Sequence, residues 1–318
     1  MPGPRLIPVP SAASVMVRVP AKVNLQLSVG NRRRDGYHHI VTVFHAVGLY
    51  DEVTVTEARP GAGISVRVEG ERVDGVPVDR SNLAWAAAES LAAAADVKPD
   101  VSILLRKGIP VAGGMAGGSA DAAAVLVACD ALWRTGMDRG ALAVLAATLG
   151  SDVPFALKGG TAVGTGRGER LTPALAKGQL HWVFAVAETG LSTAAVYREC
   201  DKLRGDTPVL EPRVNEAVMG ALRSGDAVAL GRALTNDLQR AAVALRPQLS
   251  QVLELGLDHG ALGAVVSGSG PTCAFLVRDE EAALDTAVSL TASGVCRTVK
   301  RAVGPVHGAR VVDGTDAH

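Results

Sequence analysis

PVAGGMAGGSADAA, residues 110–123, decides how this chain is read. Four glycines and a serine lie between a stretch of strand character, residues 101–105, and an alanine-rich stretch of helix character, residues 119–132. With no Cβ atoms in the way, the backbone N–H groups around Gly113, Gly114, Gly117 and Gly118 can close on a ligand. The start of a helix adds the positive end of its dipole. Both features favour an anion, most of all a phosphate chain. The loop is not a Walker A motif, because no Gly-Lys-Ser/Thr follows the glycines. Their spacing also fails the G-x-G-x-x-G dinucleotide pattern. Ser119, at the expected helix start, either caps the helix or faces a phosphate or its Mg²⁺. Asp121 suits the dipole of the first turn and reads as structural.

Working outward, Lys22 stands among Val19, Ala21, Val23 and Leu25. It either faces water at a strand edge or finds a partner and a shifted pKa. Asp152, in GSDVPF, is either a helix N-cap or a carboxylate that takes a hydroxyl proton. A lysine, a carboxylate, a glycine cradle and Mg²⁺ suffice for phosphoryl transfer, which rests on positioning and charge neutralisation. Asp35-Gly36-Tyr37-His38-His39 joins a turn to an aromatic ring and two imidazoles. Adjacent histidines on a strand point to opposite faces, which argues against a metal site. The segment is either a ring that stacks on a base beside a hydrogen-bonding histidine or a turn with a packed tyrosine. Arg32-Arg33-Arg34 is either a solvated loop or an attractor of an anionic substrate. SGSGPT, residues 267–272, is a hairpin turn or a second anion nest converging on the first.

The chain has 318 residues, with 32 basic and 32 acidic side chains. Balanced charge excludes a broad nonspecific nucleic-acid footprint. Cys129, Cys200, Cys273 and Cys296 form no C-x-x-C pair and read as buried thiols in a reducing, cytoplasmic setting. No stretch has the length of apolar sequence a membrane helix needs. The proline-broken start, MPGPRLIPVPSAAS, reads as an unstructured leader, and residues 313–318 as a frayed tail. Strands are expected at 15–19, 23–29, 38–47, 51–57, 63–69, 101–105 and 161–165. Helices are expected at 82–95, capped by Ser81, at 119–132 and at 138–148. After a soft boundary at 173–179, a strand at 181–187 leads into helices between 193 and 255. A strand pair around SGSGPT, a helix at 280–289 and a strand at 295–302 follow. The order is α+β, with domains at 1–175 and 176–318.

Four stretches carry a resemblance: PAKVNLQLSVGNRRRDGYHHI (20–40), the glycine loop, GSDVPFALKGGTAVGTGRGERL (150–171) and SGSGPT. In this order they resemble the GHMP kinases, the family of galactokinase, homoserine kinase and mevalonate kinase. The resemblance implies a two-domain fold, with an N-terminal ribosomal-S5-like domain and a C-terminal α/β-plait domain. The first would contain a left-handed β-α-β crossover, an exception to the usual hand, and the active site would lie in the cleft between the two. It implies ATP with Mg²⁺, and an alcohol as phosphate acceptor. Lys22 and Asp152 would be the catalytic pair, with Asp152 taking or orienting the hydroxyl proton. The run Pro110, Val111, Ala112, Gly113, Gly114, Met115, Ala116, Gly117, Gly118, Ser119 and Ala120 would wrap the ATP phosphates.

Within the family, the match points to the branch whose acceptor is CDP-methylerythritol, phosphorylated on its 2-hydroxyl in non-mevalonate isoprenoid biosynthesis. Asn24, Tyr37 and His38 would hold the cytidine diphosphate end, and Tyr197, in STAAVYR, would flank the base. A homoserine or mevalonate type of kinase is the alternative, against which the Tyr-His pair speaks. A nonenzymatic nucleotide-binding module is another, against which Lys22 with Asp152 speaks. Ala112 and Ala116 stand where the family commonly has glycine, and Met115 where it has leucine. Alanine disfavours positive φ, so the loop is stiffened. No carboxylate ligand for Mg²⁺ can be picked from the sequence. A small-molecule partner is implied, with no nucleic acid and no membrane, in a monomer or weak homodimer.

Overall fold

The computed structural model describes residues 12–111, 113–205 and 207–312, and every count below is of these. The leader up to residue 11, the tail 313–318 and Ala112 of the glycine loop lie outside the described residues. The first half runs β1 (Ser14–Arg32), β2 (His38–Glu57), β3 (Ile64–Gly70), α1 (Leu83–Ala95), β4 (Val101–Lys107), α2 (Gly117–Trp133), α3 (Arg139–Leu149), α4 (Val153–Lys158), β5 (Thr161–Gly166) and β6 (Arg170–Pro173). The second runs β7 (Leu180–Val186), α5 (Thr193–Arg204), α6 (Glu216–Ser224), α7 (Ala227–Ala233), β8 (Thr235–Asn236), α8 (Gln239–Leu245), α9 (Gln248–Asp258), β9 (Gly263–Val266), β10 (Cys273–Val277), α10 (Glu280–Ala292), β11 (Thr298–Gly304) and β12 (Arg310–Val311).

The first sheet has eight strands in the path β12-β1-β2-β4-β3, with β5 on β2, β6 on β5 and β8 on β1. β3 and β4 are its parallel pair joined through α1. The second sheet is the antiparallel β11-β7-β10-β9. The chain passes between sheets from Pro173 to Leu180, yet β8 and β12 return to pair with β1.

Two strands expected on either side of Pro20 form one long strand. The register against β2 shifts between Pro20 and Ala21, so the proline sits at an irregularity in the ladder, where its missing N–H is tolerated. The stretches 38–47 and 51–57 likewise form one β2, whose first part pairs with β5 and last part with β4. The short helix α4 is absent from the expected elements. It starts directly after Asp152, with Pro154 in its first turn, a position that proline favours.

Helix α2 lies against α1, β1, β2 and α4. Ala120, Ala122, Ala123, Ala124 and Ala128 are buried on all its faces, and their small side chains let its neighbours approach closely. Its start is therefore fixed by packing next to the middle of β1. Val17, Val19, Val23 and Leu25 of β1 share this core with Trp182 and Phe184 of β7, so it runs on into the second sheet.

Ser81 is not the cap of α1. Asn82 accepts the Ala84 N–H at 2.8 Å and donates to the Pro77 carbonyl at 2.5 Å, while the Ser81 hydroxyl bonds Asp79 at 2.6 Å. Asn82→Ala should lower stability in urea unfolding by about 1 kcal/mol, whereas Ser81→Ala leaves the midpoint nearly unmoved.

Candidate active site

Where the two glycine loops meet β1, a cleft of about 740 Å³ opens. The loops touch directly. Thr272 N–H donates to the Gly113 carbonyl at 3.4 Å, and the Ser267 hydroxyl donates to the Gly114 carbonyl at 3.1 Å. Gly114 has φ +75°, and a Cβ there would fall 2.2 Å from the Ser267 carbonyl oxygen. Glycine is thus required at 114 by backbone conformation and by contact. A Cβ at Gly118 would have as its nearest neighbour an atom of Leu83, 4.0 Å away, so the protein leaves that approach open.

Helix α2 begins at Gly117, two residues before the expected start, behind Ala116 in the left-handed region at φ +62°. Ala116 has no side-chain acceptor, and Ser119 makes no cap. The first-turn N–H groups of α2 therefore have no intrahelical acceptor and no capping side chain. The sequence expects an anion cradle at this point, where these donors stay open. Gly113, Gly114, Ala116, Gly117, Gly118 and Ser119 of the loop line the cleft, whereas Met115 and Ala120 are buried in the core and Ala112 lies outside the described residues.

Lys22 is partnered rather than solvated. It is 6 % exposed. Its ammonium donates to the Gly114 carbonyl at 2.8 Å and to Asn24 Oδ1 at 2.7 Å, and its backbone N–H donates to the Met115 carbonyl at 3.3 Å. Asp152 Oδ2 lies 3.9 Å from the ammonium. Burial pulls the Lys22 pKa below its ordinary value, and Asp152 pulls it back up. Asp152 occupies the N-cap position of α4 but accepts no cap hydrogen bond, so its carboxylate is left to the cleft. Asn24 stands with Lys22 rather than with Tyr37 and His38. Its amide donates to Thr42 Oγ1 at 2.8 Å, and Thr42 donates to the Gln26 carbonyl at 2.7 Å.

The other end of the cleft is aromatic. Tyr37 is 53 % exposed, on a turn where its N–H donates to Asp35 Oδ1 at 3.1 Å. His38 is buried and His39 exposed, as strand alternation requires. His38 Nε2 meets Asp201 Oδ1 at 2.8 Å, which leaves Nδ1 as its free ring nitrogen. The Tyr197 ring lies 4.9 Å from the His38 ring, tilted by 32°. Burial, with the charge of Asp152 adding, pushes the Tyr197 hydroxyl well above its usual range. Among the described residues no cluster of three His, Cys, Asp or Glu side chains could hold a metal. The arginines at 32–34 are exposed, and Arg33 pairs with Asp35 at 2.9 Å.

Sequence reading missed Asp201 and Arg167. Asp201 lies four residues beyond Tyr197 on α5, so helical spacing puts both on one face. The Arg167 guanidinium lies 5.0 Å over the Tyr37 ring. Also unforeseen is a buried cluster behind the cradle. Lys107 bonds both Asp121, at 2.6 Å, and Asp51, and reaches the Gly117 carbonyl at 3.3 Å. Asp51 also accepts the N–H groups of Gly108 and Ile109 at 2.8 and 2.9 Å. Asp121 is held by Lys107; as the fifth residue of α2 it lies beyond the first turn, so the expected dipole contact is not made.

A larger open groove, about 890 Å³ between α10 and β11, is lined without any glycine loop. Among the described residues no helix is long and apolar enough to cross a membrane.

The pattern of the GHMP kinases N terminal domain matches residues 82–160, and that of the GHMP kinases C terminal domain matches residues 218–295. The chain is 56 % identical to the 4-diphosphocytidyl-2-C-methyl-D-erythritol kinase of Mycolicibacterium smegmatis over 309 residues, 96 % of this chain and 95 % of that one. It is 58 % identical to the enzyme of the same name from Thermobifida fusca over 305 residues, 94 % of this chain and 98 % of that one. A crystal structure of 4-(cytidine 5'-diphospho)-2C-methyl-D-erythritol kinase is similar, with TM-score 0.73 and 34 % identity over 90 % of this chain and 98 % of that one. Homoserine kinase from Cytophaga hutchinsonii shares the fold, with TM-score 0.74 at 18 % identity over 97 % of this chain and all of that one.

The buried cluster has two carboxylates for one ammonium. Lys107→Met leaves both carboxylates uncompensated and should cost about 3–5 kcal/mol in chemical unfolding, whereas Asp121→Asn leaves a neutral pair and should cost far less. Burial, against the pull of Lys107 and with Asp51 adding, raises the Asp121 carboxyl from 3.8 to about 7. The folded chain therefore holds a proton that the unfolded chain has lost. Stability should fall as pH rises from about 4 to about 7, and Asp121→Asn should flatten that slope.

Proposed function

The chain belongs to the GHMP kinases, within them to the 4-diphosphocytidyl-2-C-methyl-D-erythritol kinases, and we propose how its own residues move the phosphate. It is an ATP-dependent small-molecule kinase of isoprenoid precursor biosynthesis, acting on the 2-hydroxyl of CDP-methylerythritol. One observation carries the assignment of roles. The Lys22–Asp152 pair, 3.9 Å apart, lies in one cleft with the glycine cradle and with the Tyr37, His38 and Tyr197 rings.

In this reading the ATP phosphates lie on the loop from Pro110 to Ala120, against the free N–H groups of α2. The acceptor's cytosine lies at Tyr37 and Tyr197, with His38 Nδ1 toward its edge. Asp152 takes the proton of the acceptor hydroxyl as that oxygen forms its bond to the γ-phosphorus. The bond from the γ-phosphorus to the bridging oxygen breaks, and ADP leaves with the electron pair. Lys22, fixed by Gly114 and Asn24, stabilises the charge that develops and steers the Asp152 carboxylate. Asn24 serves this centre by orienting Lys22.

Mg²⁺ accompanies ATP and supplies charge neutralisation on its phosphates. A site with few protein oxygens suits an ion that keeps water and phosphate ligands, and the Ser119 hydroxyl, which makes no helix cap, would reach it. Residues 1–175 then form the ATP-binding domain and 176–318 the second domain. We expect a monomer or weak homodimer acting in the cytoplasm.

Asp152→Asn should lower kcat by about 10³-fold while the affinity for a nonhydrolysable ATP analogue changes little. Near-normal turnover would sink the assignment. Offered CDP-methylerythritol, homoserine and mevalonate in parallel, the wild-type chain should release ADP with the first alone. Gly114→Val, whose side chain would meet the Ser267 carbonyl, should raise the KM for ATP by about tenfold or more, and Gly118→Ala much less. Steady-state kinetics with ATP as the varied substrate separates the two.

A further inference from the structure

The hairpin between β5 and β6 presents Arg167 between two glycines of positive φ, Gly166 at +78° and Gly168 at +110°. The turn is fixed. Gly168 N–H donates to the Thr165 carbonyl at 3.0 Å, and Arg167 N–H donates to Glu169 Oε2 at 2.7 Å. A Cβ at Gly164 would fall 2.8 Å from the Phe44 ring, so the strand leading to the turn is seated on the core. From this mount the Arg167 side chain enters the cleft and lies over the Tyr37 ring.

Arg167 is half-buried, yet among the described residues no carboxylate pairs with it. The acids around the cleft have other partners, Asp152 among them at 3.9 Å from Lys22. Glu169 takes the Arg167 backbone N–H, Asp35 pairs with Arg33 at 2.9 Å, and Asp201 meets His38 at 2.8 Å. The arginines at 32–34 are exposed; Arg32 also lines the cleft, where its Nε donates to the Gly36 carbonyl at 3.4 Å. A guanidinium that lines the cleft without a carboxylate partner calls for an anion that arrives with the ligand. Its planar fork, 5.0 Å over the Tyr37 ring, suits bidentate contact with a phosphate. The ATP cradle already has its own donors at the start of α2.

We propose that Arg167 is the acceptor-selecting residue, an inference that rests on the acceptor being a CDP-linked polyol. Stacked on Tyr37, its guanidinium binds the acceptor's diphosphate and sets the preference for a nucleoside-diphosphate-linked alcohol over one without phosphates.

The test is calorimetric binding of CDP and of cytidine to the full chain, wild type, Arg167→Gln and Arg167→Lys. Loss of one charge-assisted bidentate contact should weaken CDP by about tenfold or more in Arg167→Gln, with cytidine changed less than about twofold. Arg167→Lys should restore part of the difference, since it keeps the charge but not the fork. Affinity for an ATP analogue should be retained in both variants, which reports that the fold is intact. In turnover, the KM for CDP-methylerythritol should rise in Arg167→Gln while that for ATP holds. If Arg167→Gln keeps the wild-type ratio of CDP to cytidine affinity, the proposal fails and the acceptor reading stands. Equal weakening of CDP and cytidine also overturns it, because Arg167 would then serve only the ring. If the wild type binds neither ligand, the acceptor reading itself fails, and that shows before any substitution is made.

Discussion

A lysine ammonium buried in the middle of a β-strand governs this structure. Lys22 cannot be hydrated where it is, so its charge has to be met by the protein. The groups that meet it are the carbonyl of Gly114, the amide oxygen of Asn24 and, at longer range, the carboxylate of Asp152. Each comes from a different part of the chain. Satisfying one cation therefore ties β1 to the glycine loop and to the start of α4. Because the nearest partners are neutral oxygens, the ammonium is not quenched by a tight ion pair. It remains a charge directed at whatever lies between it and Asp152.

The cradle depends on the same distribution of polar groups. The first glycine loop directs its carbonyls to donors of the second loop and to Lys22, while the first N–H groups of α2 keep no partner. Packing holds this arrangement. α2 is encased in core on every face, and Lys107, between Asp51 and Asp121, fastens its first residue from behind. A buried cluster with unequal charges adds little net stability. Its value here is registry, since it sets where the open end of α2 points.

Much of this was legible in the sequence. The glycine loop could be read because its chemistry is local: residues without side chains, next to a helix start, bring donors together whatever the rest of the chain does. Most strands and helices could be read from periodicity, although Pro20 suggested a break where the strand absorbs it as a register shift. The Ser81 cap was misread because Ser81 and Asn82 are both good caps. Only the turn at Asp79 decides which of them turns toward the helix. The four motifs in order also carried the family.

By itself, then, the sequence determined that a glycine-rich loop suited to phosphate precedes a helix, that a lysine and an aspartate stand in motifs beside it, and that an aromatic turn is present. Those features depend on residue type and near-neighbour spacing. The tertiary structure decided which alternatives hold: Lys22 partnered rather than solvated, Asp152 free rather than capping, Asn24 beside the lysine rather than at the aromatic end. It also supplied Asp51 with Lys107, Asp201 with His38, and Arg167 over Tyr37. Those pairs span long separations in the chain. Burial imposes the partners of Lys107, Asp51 and His38, because a charge or polar group withdrawn from water must find its partner wherever the fold brings one near.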